Sequence, residues 1–267
     1  MRVTAGRFTA RIAETEEEVR AAQRLRYRVF VEEMGAEASA EERESRRETD
    51  GFDVHCDHLI LTDDETEFDD PLDAVVGVYR LLRGSVAKAG PGFYSSGEYD
   101  LARIHDYPAE TLELGRSCVH ADYRGGSAMQ LLWMGLAQYI YEYELKLLFG
   151  VASFHGTDPQ ALAMPLSYLH HKHLAPEHLR PRVVEDHYQP MDLLPEDAVE
   201  RPAAMRQMPV LIKGYLRLNG FVGDGAFIDH DFNTVDVCLV METDRIAARY
   251  HDFYARKPKA DLDRVLG

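Results

Sequence analysis

The spacing of apolar residues changes along the first half of the chain and predicts one helix among several strands. Between residues 16 and 34, apolar side chains recur every three or four positions on a charged background, which is typical of a helix with one buried face. Gly35 then marks the end of this helix. Short apolar runs predict five strands, at 8–13, 58–62, 74–82, 111–120 and 147–154.

The segments between these elements differ in polarity. Residues 36–49 are charge-dense and predict a loop or a surface helix. Residues 128–140 form the most apolar run of the chain, and they directly follow the fourth predicted strand. A helix that crosses a bilayer needs about 20 apolar residues, so we expect this shorter run to form a buried core helix.

Prolines interrupt the second half of the chain. Eight of the twelve prolines lie within residues 159–209 and divide that segment into short, irregular pieces. Beyond it the pattern predicts a helix, two strands and a final surface helix, at 209–218, 226–229, 234–241 and 244–256. The order of strands and helices indicates an α+β (mixed α/β) fold, and with no internal repeat the simplest organisation is a single domain over residues 1–267.

Acidic residues outnumber basic ones, since 46 Asp and Glu against 30 Lys and Arg give a formal net charge of −16. A protein that binds nucleic acid through its phosphates needs clustered Lys and Arg, so this excess argues against such a partner. It favours cationic small molecules instead. The three cysteines are far apart and predict neither disulfides nor a zinc site, so no metal is expected. The first residues lack the apolar run of a secretory signal, and we expect a cytoplasmic protein.

The strongest local signal is a strand that leads through a short Arg/Gly turn into a helix, ELGRSCVHADYRGGSAMQLL. Backbone N–H groups of Gly125, Gly126 and Ser127 would converge on an anion at the start of the helix, and Arg124 adds a fixed charge. The turn has neither the GK[ST] of a Walker motif nor the G-x-G-x-x-G of a dinucleotide site. The alternative interpretation is an ordinary strand-to-helix turn.

Charged residues also occupy positions within or beside the predicted strands and the first helix. They are Arg26, Glu48, Asp50, Asp53, Arg80, Glu113 and Arg116. Embedded charges are costly unless they are paired, so this set predicts either a structural ion-pair network or a polar site. Side chains alternate along a regular strand, so Glu113 and Arg116 would face opposite sides if the fourth strand is regular.

The turn and helix resemble the acyl-CoA-binding signature of the GNAT acyltransferase superfamily. The embedded charges, together with Phe30, match in order and spacing the pattern of acyl-homoserine-lactone synthases, which are GNAT-fold enzymes that use acyl carrier protein. The tryptophan that normally follows the first helix is absent, because this chain has Gly35-Ala36.

The C-terminal half is similar to another branch of the superfamily, the bacterial L-ornithine N-alpha-acyltransferases. The similar segments are VVEDHYQPMDLLP and MPVLIKGYLRLNGFVGDGAFIDHDFNTVDVCLV. The glycine that usually follows YLRL is Asn219 here, a mild departure because Asn tolerates the left-handed conformation that ends a helix. With the turn, this resemblance covers nearly the whole chain and implies a GNAT-like fold: a twisted, mostly antiparallel sheet that splays between the fourth and fifth predicted strands, with helices on both faces.

The resemblance implies transfer of a 3-hydroxy fatty acyl group from acyl carrier protein to the alpha-amine of L-ornithine, giving lyso-ornithine lipid. No cofactor is held permanently, because the phosphopantetheine of the carrier protein is the donor arm. A full GNAT turn has glycines where this chain has Ser127 and Met129, and a donor with one phosphate and no nucleotide fits this reduced turn. The amphiphilic product implies peripheral contact with the cytoplasmic membrane. The alternatives are an acyl-homoserine-lactone synthase and a non-catalytic GNAT-fold binding protein.

An attacking amine must lose a proton, and Glu113 is the expected base. Tyr215 is expected to protonate the leaving thiolate, with a core aromatic as the alternative role. A backbone N–H near Cys118 or Val119 would meet the oxyanion. Cys118 as an acyl-carrying nucleophile is a minor alternative.

The remaining residues are expected to bind the acceptor. Asp50 and Asp53 would bind its amino groups, and Arg80 or Arg116 its carboxylate, since arginine pairs bidentately with carboxylates. The matched pattern adds Arg26 and Phe30 to this substrate-binding set. A carrier protein is itself acidic, so docking needs a basic patch; the two candidates are Arg24, Arg26 and Arg28, or Arg43, Arg46 and Arg47.

Overall fold

A twisted sheet organises the computed structural model, which describes residues 1–124 and 127–245. Within these residues, nine strands form one sheet in the order β1-β2-β3-β4-β6-β7-β11-β10, with β9 added beside β11. The strands are β1 Arg2–Ala5, β2 Phe8–Ile12, β3 Asp57–Asp63, β4 Val75–Arg83, β5 Tyr99–Asp100, β6 Thr111–Val119, β7 Leu147–His155, β8 Arg182–Val183, β9 Phe221–Val222, β10 Phe227–Asp229 and β11 Thr234–Glu242. The short strands β5 and β8 pair separately.

Eight α-helices lie among the described residues. They are α1 Glu16–Arg26, α2 Ala40–Ser45, α3 Gly84–Ala89, α4 Ala102–His105, α5 Ala128–Glu142, α6 Ala163–His173, α7 Arg201–Gln207 and α8 Val210–Arg217. All the predicted strands are present within about two residues, and the α+β expectation is confirmed. Strand β1 was not predicted. The predicted surface helix 244–256 lies outside the described residues from position 246 onward.

The first predicted helix is confirmed, but its hydrogen bonding changes along its length. It begins with a capping box, in which Thr15 accepts from the Glu18 N–H and the Glu18 carboxylate accepts from the Thr15 N–H. From Tyr27 to Glu33 the helix widens to a π-helix, in which the Met34 N–H bonds the Val29 carbonyl. Such widened turns are frequent at functional sites.

Helices cover both faces of the sheet, as expected. On β3, Leu59 and Leu61 contact the cluster that contains α5, whereas Ile60 points to the opposite face. There it packs with the α1 side chains, including Leu25. This alternation follows from the two-residue period of a strand. No described helix is both long and apolar enough to cross a membrane.

The proline-rich segment 159–209 contributes to the main core rather than only connecting two halves. It contains α6 and α7, and buries Leu166, Leu169, Met191 and Met208 in the same cluster as β11. Two helices form between its prolines. One of them, α7, has Pro202 in its first turn, where the N–H that proline lacks would have no partner within the helix.

The two central strands separate after a short parallel ladder. All strand pairs of the main sheet are antiparallel except β6 with β7, which pair only from Thr111↔Leu147 to Glu113↔Phe149. The next residue of β7 is Gly150, where a Cβ atom would lie 2.1 Å from the Leu114 carbonyl oxygen. Glycine is therefore required where the strands begin to diverge.

Replacing Gly150 by alanine should lower the free energy of unfolding by about 1–3 kcal/mol or more, because backbone atoms must move to admit the methyl group. The matched control is Gly115→Ala on β6, where the nearest heavy atom to a built Cβ is Arg80 Nε at 3.9 Å. Urea denaturation of both variants measures the difference. Equal stability of the two variants would contradict the steric argument.

Candidate active site

A cavity opens where β6 and β7 separate. Residues 115–119 of β6 and 150–153 of β7 form two of its walls, and the π-helical end of α1, helix α8 and the β10–β11 hairpin supply others. Its volume is about 590 Å³, which is typical of small-molecule sites. The cavity is a direct consequence of the short parallel ladder, because a fully paired β6–β7 would close it.

Six charged side chains beside this cavity form a closed ring of ion pairs, which we call the arginine–carboxylate ring. Its members, in order around the ring, are Arg26, Glu48, Arg116, Asp50, Arg80 and Asp53. Each arginine contacts two carboxylates and each carboxylate contacts two arginines, so the formal charges cancel. The predicted ion-pair network is therefore present.

The ring is buried at Arg26, which is fully inaccessible to solvent. Arg26 Nη1 lies 2.7 Å from Asp53 Oδ1, and its Nη2 donates to the Glu48 carbonyl at 2.8 Å. Burial alone would raise the pKa of Asp53, but the hydrogen bonds and charge of Arg26 and the charge of Arg80 hold that pKa below its usual range. An exposed docking patch that includes Arg26 was a wrong prediction.

Glu113 and Arg116 both line the cavity, contrary to the expectation for a regular strand. Strand β6 is irregular here, because its pairing with β4 shifts register between Val78 and Arg80 and Arg116 has a φ of +50°. The Arg116 guanidinium lies between two aromatic rings, 4.6 Å from the Tyr94 centroid and 4.8 Å from that of Phe232. Ion pairs and rings together fix its position.

Glu113 is 4% exposed and accepts three hydrogen bonds from one short turn. The Ser95 N–H and hydroxyl donate to Oε1 at 2.7 and 2.5 Å, and the Tyr94 N–H donates to Oε2 at 2.8 Å. Burial raises the pKa of Glu113, although these hydrogen bonds oppose the shift. A carboxylate with a raised pKa that lines the cavity is suited to accept a proton.

The other residues of the predicted acceptor set divide into two groups. Phe30 and Arg80 line the cavity, and the Phe30 ring meets Phe232 edge-on at 6.1 Å. Asp50 and Asp53 do not line it, because their oxygens face the arginines of the ring. Asp53 also accepts from Gln23 at 3.0 Å. These two carboxylates hold the arginines that face the cavity.

Tyr215 lines the cavity from α8. Its hydroxyl lies 3.1 Å from that of Tyr79, and its ring stacks on Trp133 at 5.6 Å. Burial raises the pKa of Tyr215 well above its usual value. The same side chain thus packs in the core and presents a hydroxyl to the cavity.

Cys118 and Val119 lie at the far end of the β6 wall. Burial raises the pKa of the Cys118 thiol to about 12, so the thiol stays protonated near neutral pH. This disfavours Cys118 as an acyl-carrying nucleophile.

The predicted anion turn begins where β6 ends. Arg124 lines the cavity, donates to the Val119 carbonyl at 2.9 Å and pairs with Glu33 through both Nη atoms, one of them at 2.7 Å. Ser127 directly precedes α5, and its carbonyl accepts the Leu131 N–H. Gly125 and Gly126 lie outside the described residues.

Besides Glu33, which pairs with Arg124, three neighbouring carboxylates of the cavity were not predicted from the sequence: Glu98, Asp229 and Asp236. An oxygen from each lies within 4.8 Å of the others. Burial and the charges of the other two carboxylates raise the pKa of Glu98 to about 8, and burial raises that of Asp236 to about 6. Asp236 was detectable in principle, because it is the charged residue inside the apolar run TVDVCLV.

Replacing Arg26 by methionine should lower the free energy of unfolding by about 3–5 kcal/mol, because Glu48 and Asp53 would lose a buried partner. The matched control on the same helix is Arg20→Met, which removes an exposed pair with Glu16 and should change stability by less than about 1 kcal/mol. Chemical denaturation at pH 7 measures both. Similar losses in the free energy of unfolding for the two variants would contradict a stabilising role of the buried ring.

The raised pKa of Glu98 predicts that stability falls as pH rises. The folded chain retains the Glu98 proton up to about pH 8, whereas the unfolded chain loses it near its ordinary pKa of 4.5. Stability therefore falls across this window, because the folded chain resists ionisation of Glu98: the group is buried and faces Asp236, Asp229 and Glu113, although Arg116 opposes them.

At pH 8 a Glu98→Gln variant should melt at a higher temperature than the unaltered chain. The melting temperature should rise by about 2–4 °C for each kcal/mol by which the substitution raises the free energy of unfolding. The difference should shrink strongly at pH 5, where Glu98 is protonated in the folded state. Calorimetry at the two pH values tests this. A difference that does not depend on pH would show that Glu98 does not titrate as described.

Comparison with known proteins places this site in a family. A profile of the acetyltransferase (GNAT) domain matches residues 25–134, which include the whole arginine–carboxylate ring and the turn. The chain is 51% identical to the L-ornithine N(alpha)-acyltransferase of Rhodobacter capsulatus over 250 residues, 94% of this chain and 95% of that protein. It is 42% identical to the protein of that name from Brucella abortus, over 93% of this chain and 89% of that protein.

The fold is also shared with a solved structure. FeeM, an N-acyl amino acid synthase from uncultured soil microbes, superposes with a TM-score of 0.53 over 91% of this chain and 94% of that chain, at 11% identity. The full-length similarity to the curated relatives is far higher than this, and the chain belongs to the L-ornithine N(alpha)-acyltransferase family, with the GNAT fold and an acyltransferase activity.

Proposed function

We propose that the chain transfers a 3-hydroxy fatty acyl group from acyl carrier protein to the alpha-amine of L-ornithine and releases lyso-ornithine lipid. The observation that carries this proposal is the cavity at the β6–β7 splay, where Glu113 and the arginines of the ring meet a deep apolar opening. Polar groups converge at one point of that cavity, as an amino acid acceptor requires.

Glu113 takes a proton from the alpha-ammonium and leaves a neutral amine that attacks the thioester carbonyl carbon. The C–N bond forms first and the carbonyl oxygen becomes an oxyanion; as this tetrahedral intermediate collapses, the C–S bond breaks and the thiolate leaves. The second proton lost by the nitrogen ends on the thiolate sulfur, with Tyr215 as the group that relays it. The products are an amide, a thiol and one proton released through Glu113.

Arg80 and Arg116 bind the acceptor carboxylate from the cavity wall. Both arginines already contact Asp50. The substrate carboxylate therefore binds arginines whose charge is already balanced by carboxylates, and not an isolated cation. We assign Asp50, Asp53 and Arg26 to positioning these two guanidinium groups, since none of the three lines the cavity. Phe30 adds an apolar ring to the wall and packs edge-on against Phe232, whose ring meets Arg116.

The donor thioester enters between the separated strands. Backbone N–H groups near Cys118 and Val119 meet the oxyanion, and Arg124, with Gly125, Gly126 and Ser127, meets the phosphate of the phosphopantetheine arm. Arg124 exchanges its contact with Glu33 for that phosphate. Two patches are the candidates for carrier-protein docking: Arg24 and Arg28, which are half-buried and pair with Asp73 at 3.2 and 3.1 Å, or Arg43, Arg46 and Arg47.

The product joins a long acyl chain to a polar headgroup and must pass to a lipid surface. We therefore place the enzyme in the cytoplasm, with peripheral contact at the inner membrane during release.

The experiment that tests this function supplies L-ornithine with either 3-hydroxyacyl carrier protein or the corresponding coenzyme A thioester, and detects acyl-ornithine by mass spectrometry. We expect a higher kcat/KM with the carrier protein. No acyl-ornithine from either donor would refute the acceptor assignment, and equal use of both donors would refute the carrier-protein assignment.

Replacing Glu113 by glutamine should lower kcat by about 10²–10⁴-fold, the usual contribution of a general base. The control is Glu110→Gln, which lies three residues earlier outside the cavity, where its carboxylate accepts from the Ser85 N–H at 2.8 Å. The assay with ornithine and the preferred donor measures both. Full activity of the Glu113 variant would exclude it as the base.

A further inference from the structure

Glu98, Asp229 and Asp236, which we call the carboxylate triad, have no part in the mechanism above. They approach the cavity from three places: the segment before β5, the end of β10 and the first part of β11. One oxygen from each lies within 4.8 Å of the others. Three acidic groups so close together repel one another unless something positive lies between them.

Two atoms of the carboxylate triad are buried without a hydrogen-bond partner among the described residues. They are Glu98 Oε2 and Asp236 Oδ1. Their residues are only 8% and 4% exposed, and both line the cavity. Buried polar atoms are nearly always paired, so these two indicate a ligand that donates hydrogen bonds into the cavity.

The charge of the cavity wall indicates that this ligand is a cation. The basic residues among the described lining residues are Arg80, Arg116 and Arg124. Each already pairs with a carboxylate outside the triad, in the ring or at Glu33. Arg116 offsets the charge of Glu98 and Asp236 only in part, so the triad adds negative charge to the wall when its carboxyl groups ionise.

We propose that the carboxylate triad binds the side-chain ammonium of the acceptor amino acid and so selects a diamino acid. This inference rests on the proposed function, because Glu113, Arg80 and Arg116 account there for the alpha-amine and the carboxylate and leave the second amine to be bound. An ammonium donates three tetrahedral hydrogen bonds of about 2.8 Å, which places the acceptor oxygens about 4.6 Å apart. The triad oxygens lie within 4.8 Å of one another, a limit that admits this spacing.

The test compares L-ornithine with L-norvaline, which has the same carbon chain but lacks the side-chain ammonium. In the unaltered chain we expect ornithine to have the higher kcat/KM. Asp236→Asn and Glu98→Gln should each lower the ornithine-to-norvaline ratio by about 10- to 100-fold, the usual value of a hydrogen bond to a charged group. The control is Asp231→Asn, an exposed carboxylate on the same hairpin, which should leave the ratio unchanged.

A second readout does not depend on acyl transfer. Without any donor, ornithine should raise the melting temperature of the unaltered chain and of Asp231→Asn, but raise it much less in Asp236→Asn. Norvaline should have little effect on any of them. This pattern would support the ammonium site even if no acyl-ornithine forms, so failure of the proposed function is separable from failure of this inference.

Two results would overturn the inference. The first is an ornithine-to-norvaline ratio, or an ornithine-induced shift, that survives both triad substitutions. The second is stabilisation of the unaltered chain by Mg²⁺ or Ca²⁺, lost in Asp236→Asn, with no stabilisation by ornithine, because the triad would then be a divalent-metal site.

Discussion

The closed arginine–carboxylate ring is the interaction on which the rest of this structure depends. Burying a guanidinium such as that of Arg26 is unfavourable unless carboxylates pair with it. In an alternating ring every arginine and every carboxylate has two partners of opposite charge. Because its members come from α1, from the loop before β3, and from β4 and β6, these four segments must reach their places together. The ring therefore couples the packing of α1 to the position of two arginines in the cavity wall.

The ring and the splayed strands meet at Arg116. Its positive φ is unfavourable for a side chain of this size, and two carboxylates and two aromatic rings offset that strain. The same irregularity turns Arg116 toward the side on which Glu113 lies. Strain in one strand thus places a base and a guanidinium in the same cavity, beside the point where Gly150 allows the partner strand to depart.

Local patterns predicted the fold well because the central strands are buried on both faces and appear as short apolar runs, whereas the first helix buries one face and shows the helical period. The charged residues within the predicted strands and the first helix also predicted an ion-pair network correctly, since a charge in an apolar strand needs a partner. What a single sequence did not reveal was which partner each charge has. Asp50 and Asp53 were predicted to meet an amino group but face arginines, because pairing depends on segments brought together only in the fold.

The carboxylate triad was missed for a related reason. Glu98 and Asp229 lie in or beside short, irregular segments where acidic residues are ordinarily solvated, and only the pairing of β10 with β11 brings Asp229 toward Asp236. The burial of the proline-rich segment could not be predicted, because prolines indicate where helices end but not whether the pieces between them are buried. Its leucines and methionines are part of the main core.

The pairing of β7 with β11 also governs the order in which the chain is able to fold. Val151 pairs with Cys238, so the central strand β7 lacks a partner until β11, more than eighty residues later in the chain, has been synthesised. Until β11 emerges, that edge of β7 is an unpaired template, and the cavity lacks the wall that carries Asp236. Contacts of such long sequence separation slow folding, and the site is assembled only after β11 has been synthesised.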